Sequence, residues 1–366
     1  MSRMRRTGLC LITVLLALAP MQAQSTWRFA VSGDSRNCGD VVMPAIAAGV
    51  SRDHGRFYWH LGDFRAIYDF DQDLLQEPPY RGKRPNILDY EQNAWDDFLQ
   101  SQIAPFETET VPVFLSIGNH ELIPPKTRAE FLAQFADWLD RPILQKQRLQ
   151  DNPHDHRLKT WYHWREDGID FIDLDNASPE QFDSEQMKWF RRVLARAVSD
   201  PAIRSIVVGM HAALPDSLAS GHSMNNSPAG EQSGRAVYEL LLDARNRGHK
   251  NVYLLASHSH FYMANVYNSA AWKQHGGVLP GWIVGTAGAV RYPLPEDSAQ
   301  ADAARTNVYG YLLGTVNPPG QPAGTIHFEF REVKERDVPG AVVNRYTPSL
   351  VHFCFAENSE AGQGRN

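Results

Sequence analysis

The 366-residue chain is 43% apolar and 21% charged, a globular composition with material for one large domain or two small ones. Its net charge is −6. An acidic chain lacks the basic footprint that nucleic-acid backbones require, so no nucleic-acid-binding surface is expected, and any anion must be held locally by metal ions or a few placed cations.

In chain order, the N-terminus reads as a leader. Arg3, Arg5 and Arg6 form a basic start, and Leu9–Ala19 is an apolar run of 11 residues followed by Pro20. A spanning helix needs about 20 apolar residues, so this run is a secretory signal over 1–23, and no membrane span is expected after its removal. The site near Ala23 is imperfect, because Met21 stands where a small residue is preferred, and Cys10 lacks a lipoprotein context. The chain is expected to be exported, periplasmic or secreted. Its remaining cysteines, Cys38 and Cys354, can pair in an oxidising compartment, although sequence sets no distance between them.

Strand-like runs follow at Arg28–Ser32, Phe57–Leu61, Val111–Ile117, Asp170–Leu174, Ser205–Met210, Val252–Ala256 and Trp282–Gly285. Helical patterns lie between several of them: Pro44–Asp53, Glu91–Ile103, Arg128–Leu139 and Ser184–Val198, the last with Asp183 and Gln186 as a capping pattern. This alternation predicts an α/β fold of βαβ units. Phe261–Tyr267, Tyr309–Val316, Thr325–Glu332 and Leu350–Phe355 are strand-like with little helix between, which predicts an added antiparallel edge. Leu214–Ser233, Pro78–Pro85 and Pro293–Ala304 read as loops. No linker divides 24–356, which is expected to be one domain, and 357–366 is expected to be a disordered tail.

The ends of the strands carry the chemistry. The first run ends in Gly33-Asp34, the second in Gly62-Asp63 and the third in Gly118-Asn119-His120-Glu121. Ser205–Met210 ends in His211, and Val252–Ala256 leads through Ser257 into His258-Ser259-His260. Ligands of open α/β sheets sit outside the carboxyl ends of the strands, so these donors are expected to converge. Carboxylate, amide oxygen and imidazole together suit Zn, Mn or Fe rather than an all-oxygen calcium cage. Two such ions about 3.5–4 Å apart clamp the oxygens of an in-line displacement, which makes phosphoryl chemistry the natural use.

In this order the motifs resemble the calcineurin-like metallophosphoesterase superfamily, and the resemblance runs from Phe29 to about Tyr311. It implies a four-layer αββα sandwich with a dinuclear site at the carboxyl ends of the strands. Asp63 would bridge the ions, Asp34 and His260 would bind the first, and Asn119, His211 and His258 the second. His120 would be catalytic, touching the phosphate and assisting the leaving group without binding metal. The implied activity is hydrolysis of a small phosphate mono- or diester through a metal-bound hydroxide.

Two departures stand out. The family's first motif is usually Asp-x-His, whereas here it is Asp34-Ser35-Arg36, and Ser257 replaces the glycine of Gly-His-x-His. The purple acid phosphatase branch would place a tyrosine at Ala66, and Tyr68 is out of step. A guanidinium has no lone pair for a metal, so Arg36 reads as a substrate-phosphate ligand, or else as a surface ion pair. The gap also supports an alternative: a degenerate member that binds a phosphorylated ligand or a protein partner without turnover. A third reading is a hydrolase of another bond type. Among the other histidines, His222 can reach substrate. His60 reads as a hydrogen-bonded core residue, and His154, His156 and His163 as solvated.

Overall fold

The computed structural model describes residues 25–77, 80–83 and 85–360, so the expected leader at 1–23 lies outside the described residues. Its strands are β1 (Trp27–Ser32), β2 (Gly55–His60), β3 (Val113–Leu115), β4 (Tyr162–Glu166), β5 (Ile169–Leu174) and β6 (Ser205–Met210). They continue as β7 (Asn251–Ala256), β8 (Tyr262–Ala264), β9 (Gly281–Val284), β10 (Ala303–Arg305), β11 (Tyr309–Val316) and β12 (Ile326–Val333). They form two sheets, ordered β12-β11-β1-β2-β3 and β10-β8-β9-β7-β6-β5-β4. The centre of each is parallel, β1–β2–β3 in one and β5–β6–β7–β9 in the other. The late strands add antiparallel edges, β11 and β12 to the first sheet and β8 and β10 to the second.

The parallel strands are apolar on both faces because both faces are covered. Every residue of β6, Ser-Ile-Val-Val-Gly-Met, is buried. Between the sheets lies an aromatic layer, in which Trp164 stacks on Phe114 with ring centroids 4.1 Å apart and on Phe171 at 4.9 Å. The outer face of the first sheet packs on the helix Gly39–Arg52 through Val42, Ile46 and Val50. That of the second packs on Ser184–Ser199 and Pro228–Asn246 through Phe190, Val193, Val237 and Leu241. Helix, sheet, sheet and helix make four layers, as expected. No helix among the described residues is long and apolar enough to cross a membrane.

Several elements differ from expectation. Leu350–Phe355 is not a strand but part of the helix Pro348–Ala356. A short apolar run fits either state, and the deciding signals are Thr347, whose side chain accepts from Leu350 N–H, and Pro348 in the first turn. Arg128–Leu139 breaks at Phe135 into Arg128–Gln134 and Ala136–Leu139. The helix expected over Glu91–Ile103 starts at Ile87 on an Asn86 cap and runs through a π-helical turn, Leu99–Ile103. The loop from Leu214 ends at Ser227, which caps the helix Pro228–Asn246. Residues 357–360 are packed rather than a disordered tail: the Asn358 amide donates to the Gly288 carbonyl at 3.1 Å, and Ser359 pairs with Arg291. Residues 361–366 of that expected tail lie outside the described residues. Cys38 and Cys354 form a disulfide that ties the turn after β1 to the Pro348–Ala356 helix.

His163 is buried, not solvated. Its Nδ1 lies 2.7 Å from Asp170 Oδ1 and its Nε2 2.5 Å from Asp151 Oδ2. Burial alone would lower its pKa, but the charge of Asp170 and the hydrogen bonds to both carboxylates hold it up at about 9, against an ordinary 6.5. A raised histidine stabilises the fold fully below its unfolded pKa and loses that contribution as pH rises through the folded one. Unfolding free energy is therefore expected to fall between about pH 6.5 and 9, by up to about 3 kcal/mol. Denaturant titrations of wild type and His163→Gln check this, and an equal pH slope in both would refute the assignment.

Candidate metal centre

The strand ends meet on one rim. Asp34 N–H donates to the Gly62 carbonyl at 2.9 Å, Ser35 N–H to Asp63 at 2.9 Å, and Ser257 N–H to His211 at 2.9 Å. Space there is tight: Gly62 has φ +92° against Gly118, and a Cβ on Gly118 would stand 2.3 Å from Asp63 Oδ1. Asp34, Asp63 and His258 all hold positive φ, at 60°, 61° and 64°. Such backbone costs of order 1 kcal/mol or more per residue and gathers at functional sites. These turns aim the side chains into the rim.

Four acceptors converge on one point. His211 donates from Nδ1 to the Leu61 carbonyl at 2.9 Å, which leaves Nε2 bare in the neutral ring. That nitrogen lies 2.9 Å from Asn119 Oδ1, 3.1 Å from His258 Nδ1 and 3.3 Å from Asp63 Oδ1. On its far side His258 turns Nε2 toward Glu180 Oε1, 3.7 Å away and beyond direct hydrogen-bond distance. Lone pairs facing lone pairs are repulsive unless a proton or a metal ion lies between them. Asp63, His211 and His258 offer ligand atoms all within 4.8 Å of one another. Asp63 Oδ2 and Asp34 Oδ1 are buried without a hydrogen-bond partner, as carboxylates awaiting a cation would be. Without a cation the charge of Asp63 outweighs burial and raises His211 to about 10, favouring a proton on Nε2 that a bound ion would displace. Burial and the neighbouring His211 press His258 down to about 3. The mixture of two imidazoles, a carboxylate and an amide oxygen fits Zn, Mn or Fe.

The other expected metal ligands form a smaller group. Asp34 Oδ2 accepts from His258 N–H at 2.7 Å, and Asp34 Oδ1 lies 3.3 Å from His260 Nε2. His260 donates from Nδ1 to the Val290 carbonyl at 2.7 Å. Arg36 does not turn outward. It is 8% exposed, and its Nη2 lies 3.0 Å from His260 Nε2. Tyr292 hydroxyl is 3.4 Å from Nη2, and Tyr68 hydroxyl, on an exposed ring, is 3.5 Å from Nη1.

His120 stands beside the first group without entering it. Nδ1 donates to the Ala66 carbonyl at 2.7 Å, and Nε2 is 3.7 Å from Asp63 Oδ2. Burial lowers it to about 4 despite the charge of Asp63. Glu121 accepts from Gly118, Asp63 and Phe64 N–H, each at 2.8 Å, and so bolts the β2 and β3 loops together. Burial and Asp63 raise Glu121 to about 7. His222 is exposed at the mouth, with its ring 5.6 Å from His258 and stacked on Tyr292 at 5.2 Å. His60 is a core residue, with Nε2 2.9 Å from Ser35 Oγ. Sequence reasoning missed Tyr292, whose ring stacks on His260 at 3.9 Å, and Glu180. Neither follows a strand end in a recognisable motif.

No protein-family model and no curated protein matches the chain in sequence. Solved structures match it as folds. A purple acid phosphatase from yellow lupin (Lupinus luteus) seeds is 17% identical, with a TM-score of 0.56 over 84% of this chain and 52% of that one. The chain thus spans about half the length of the lupin protein. PhoD is 13% identical, with a TM-score of 0.52 over 86% of this chain and 73% of its own. A dimetal phosphatase from Danio rerio is 12% identical, with a TM-score of 0.51 over 84% of this chain and 96% of its own. The fold of this chain is that of the calcineurin-like metallophosphoesterases.

Proposed function

We propose that this chain is an exported metal-dependent hydrolase of a small phosphate mono- or diester. The observation that carries the reading is the convergence of Asp63, Asn119, His211 and His258 acceptor atoms around His211 Nε2, with two buried carboxylate oxygens left unpaired beside it. Zn, Mn or Fe held by those four residues would supply Lewis acidity for activating water and for polarising the phosphoryl group. The protein does the rest. Asp63 carries negative charge into the site, Glu180 places a further carboxylate near His258, and His120 presents Nε2 to the leaving oxygen. His222 and Tyr292 border a cleft of about 200 Å³ with Ala219, Phe261 and Leu294, which suits an apolar portion of the ester. The leader pattern at 1–23 and the Cys38–Cys354 disulfide support export into an oxidising compartment.

A non-catalytic phosphate binder is the second reading, favoured by Arg36 in place of a ligand histidine. Chromogenic phosphomonoester and phosphodiester assays with added Mn, Zn or Fe separate the two. The hydrolase reading expects metal-dependent turnover of at least one class. Tight phosphate binding with no turnover of either would establish the binder.

A further inference from the structure

We infer that the Arg36 guanidinium stands in for the first metal ion, so that the protein holds one ion, in the Asp63–Asn119–His211–His258 site, with Arg36 as the second positive charge facing the substrate phosphate. This rests on the metal-dependent reading above and changes its charge carriers.

One lone pair decides whether a first ion can bind. His260 has its Nδ1 proton committed to the Val290 carbonyl, so Nε2 has a single in-plane lone pair. A first-row ion would need that pair at about 2.0–2.1 Å. Arg36 Nη2 already lies 3.0 Å from the same atom as a donor. One lone pair cannot serve a metal and an N–H at once, and a guanidinium has none to offer an ion in exchange. The remaining expected donor of that group, Asp34, commits Oδ2 to His258 N–H and keeps only Oδ1 open. Besides Asp63, the first ion would thus have Asp34 and His260, the latter already occupied, whereas the other site has three residues of its own. Among the described residues, the cluster able to hold a metal contains Asp63, His211 and His258 and excludes Asp34 and His260.

Arg36 is held in place rather than passing through. Its described hydrogen-bond partners are His260, Tyr292 and Tyr68, none of them a carboxylate, and its buried Nε has no partner. Tyr292 stacks on the His260 ring at 3.9 Å and its hydroxyl oxygen accepts from the same Nη2 at 3.4 Å, so the imidazole and the guanidinium are fixed together. Among the described residues Arg36 has no carboxylate hydrogen-bonded to it, and the Nη1 hydrogen not turned to Tyr68 is left to meet a phosphate oxygen. Substrate phosphate would then bridge one metal ion and Arg36.

The test is metal stoichiometry. Chelator-stripped protein is reloaded with Mn(II), desalted, and measured for bound metal per chain and by electron paramagnetic resonance. Wild type is expected to bind one Mn(II) with an uncoupled six-line spectrum. Arg36→His restores an imidazole and is expected to bind two, with an exchange-coupled spectrum. Arg36→Ala at saturating Mn(II) is expected to weaken inhibition by inorganic phosphate roughly 10²-fold. Two ions in wild type would overturn the inference and leave the metal-dependent reading standing. No bound ion would overturn both. One ion in both wild type and a folded Arg36→His would remove Arg36 as the cause and overturn the replacement. Should Arg36→His not fold, the wild-type count and spectrum decide alone.

Discussion

Asp63→Asn is expected to lower metal-dependent turnover by roughly 10³-fold or more, a larger loss than any other single ligand change produces. The change keeps the side-chain shape. Its backbone neighbourhood, held by Glu121 through Asp63 N–H at 2.8 Å, should persist. What changes is charge and lone pairs. Asp63 Oδ1 accepts from His120 N–H at 2.9 Å and lies 3.3 Å from His211 Nε2, while Oδ2 is unpaired and buried. An amide that keeps the bond to His120 N–H must turn its NH2 to the Oδ2 position, so donor hydrogens point where a cation needs an acceptor. Opposed by burial, His211 and His120 hold the Asp63 carboxyl well below the usual range, so the wild-type charge is present at neutral pH. Rates and metal content of the ligand variants, measured side by side, check this. Wild-type turnover in Asp63→Asn would remove Asp63 from the centre.

His120→Ala is expected to lower turnover by roughly 10²–10⁴-fold while bound metal stays close to wild type. The His120 ring touches none of the four converging acceptors and is 3.7 Å from the unpaired Asp63 oxygen. With its Nδ1 proton committed to the Ala66 carbonyl, Nε2 gains a proton only in the charged ring, and bound phosphate adds the negative charge that favours that form. The loss should shrink for substrates with good leaving groups, which need less proton donation. A variant that loses its metal would show that His120 is a ligand instead.

The centre was legible because its donors follow buried strands. Gly-Asp, Gly-Asp and Gly-Asn-His-Glu after apolar runs mark places where a parallel strand ends and the chain must turn at close quarters. The positive φ of Asp34 and Asp63 is the same fact seen in the backbone. The residues around the donors were less legible. Tyr292 reaches His260 from a loop after β9, and Glu180 reaches His258 from the segment before a helix, contacts that depend on loop paths no periodicity encodes. His163 looked solvated beside polar neighbours, and only the pairing of β4 with β5 and the packing of the helix Pro142–Asp151 on β4 set it between Asp151 and Asp170. Leu350–Phe355 was misread because six apolar-rich residues suit a strand or a buried helix equally. The Thr347-Pro348 start was the discriminating signal. Arg36 was identifiable as anomalous, but its direction was not: only the fold shows the guanidinium against His260.

Hydrolysis is expected to depend on an ion held by Asp63, Asn119, His211 and His258. Its most direct measurement is phosphate release in oxygen-18 water by chelator-stripped protein titrated with Mn(II), Zn(II) or Fe. The expected result is a product carrying one solvent oxygen that appears only as ion is added and saturates as the site fills. Equal release by the stripped protein, or none with any ion, would contradict the account.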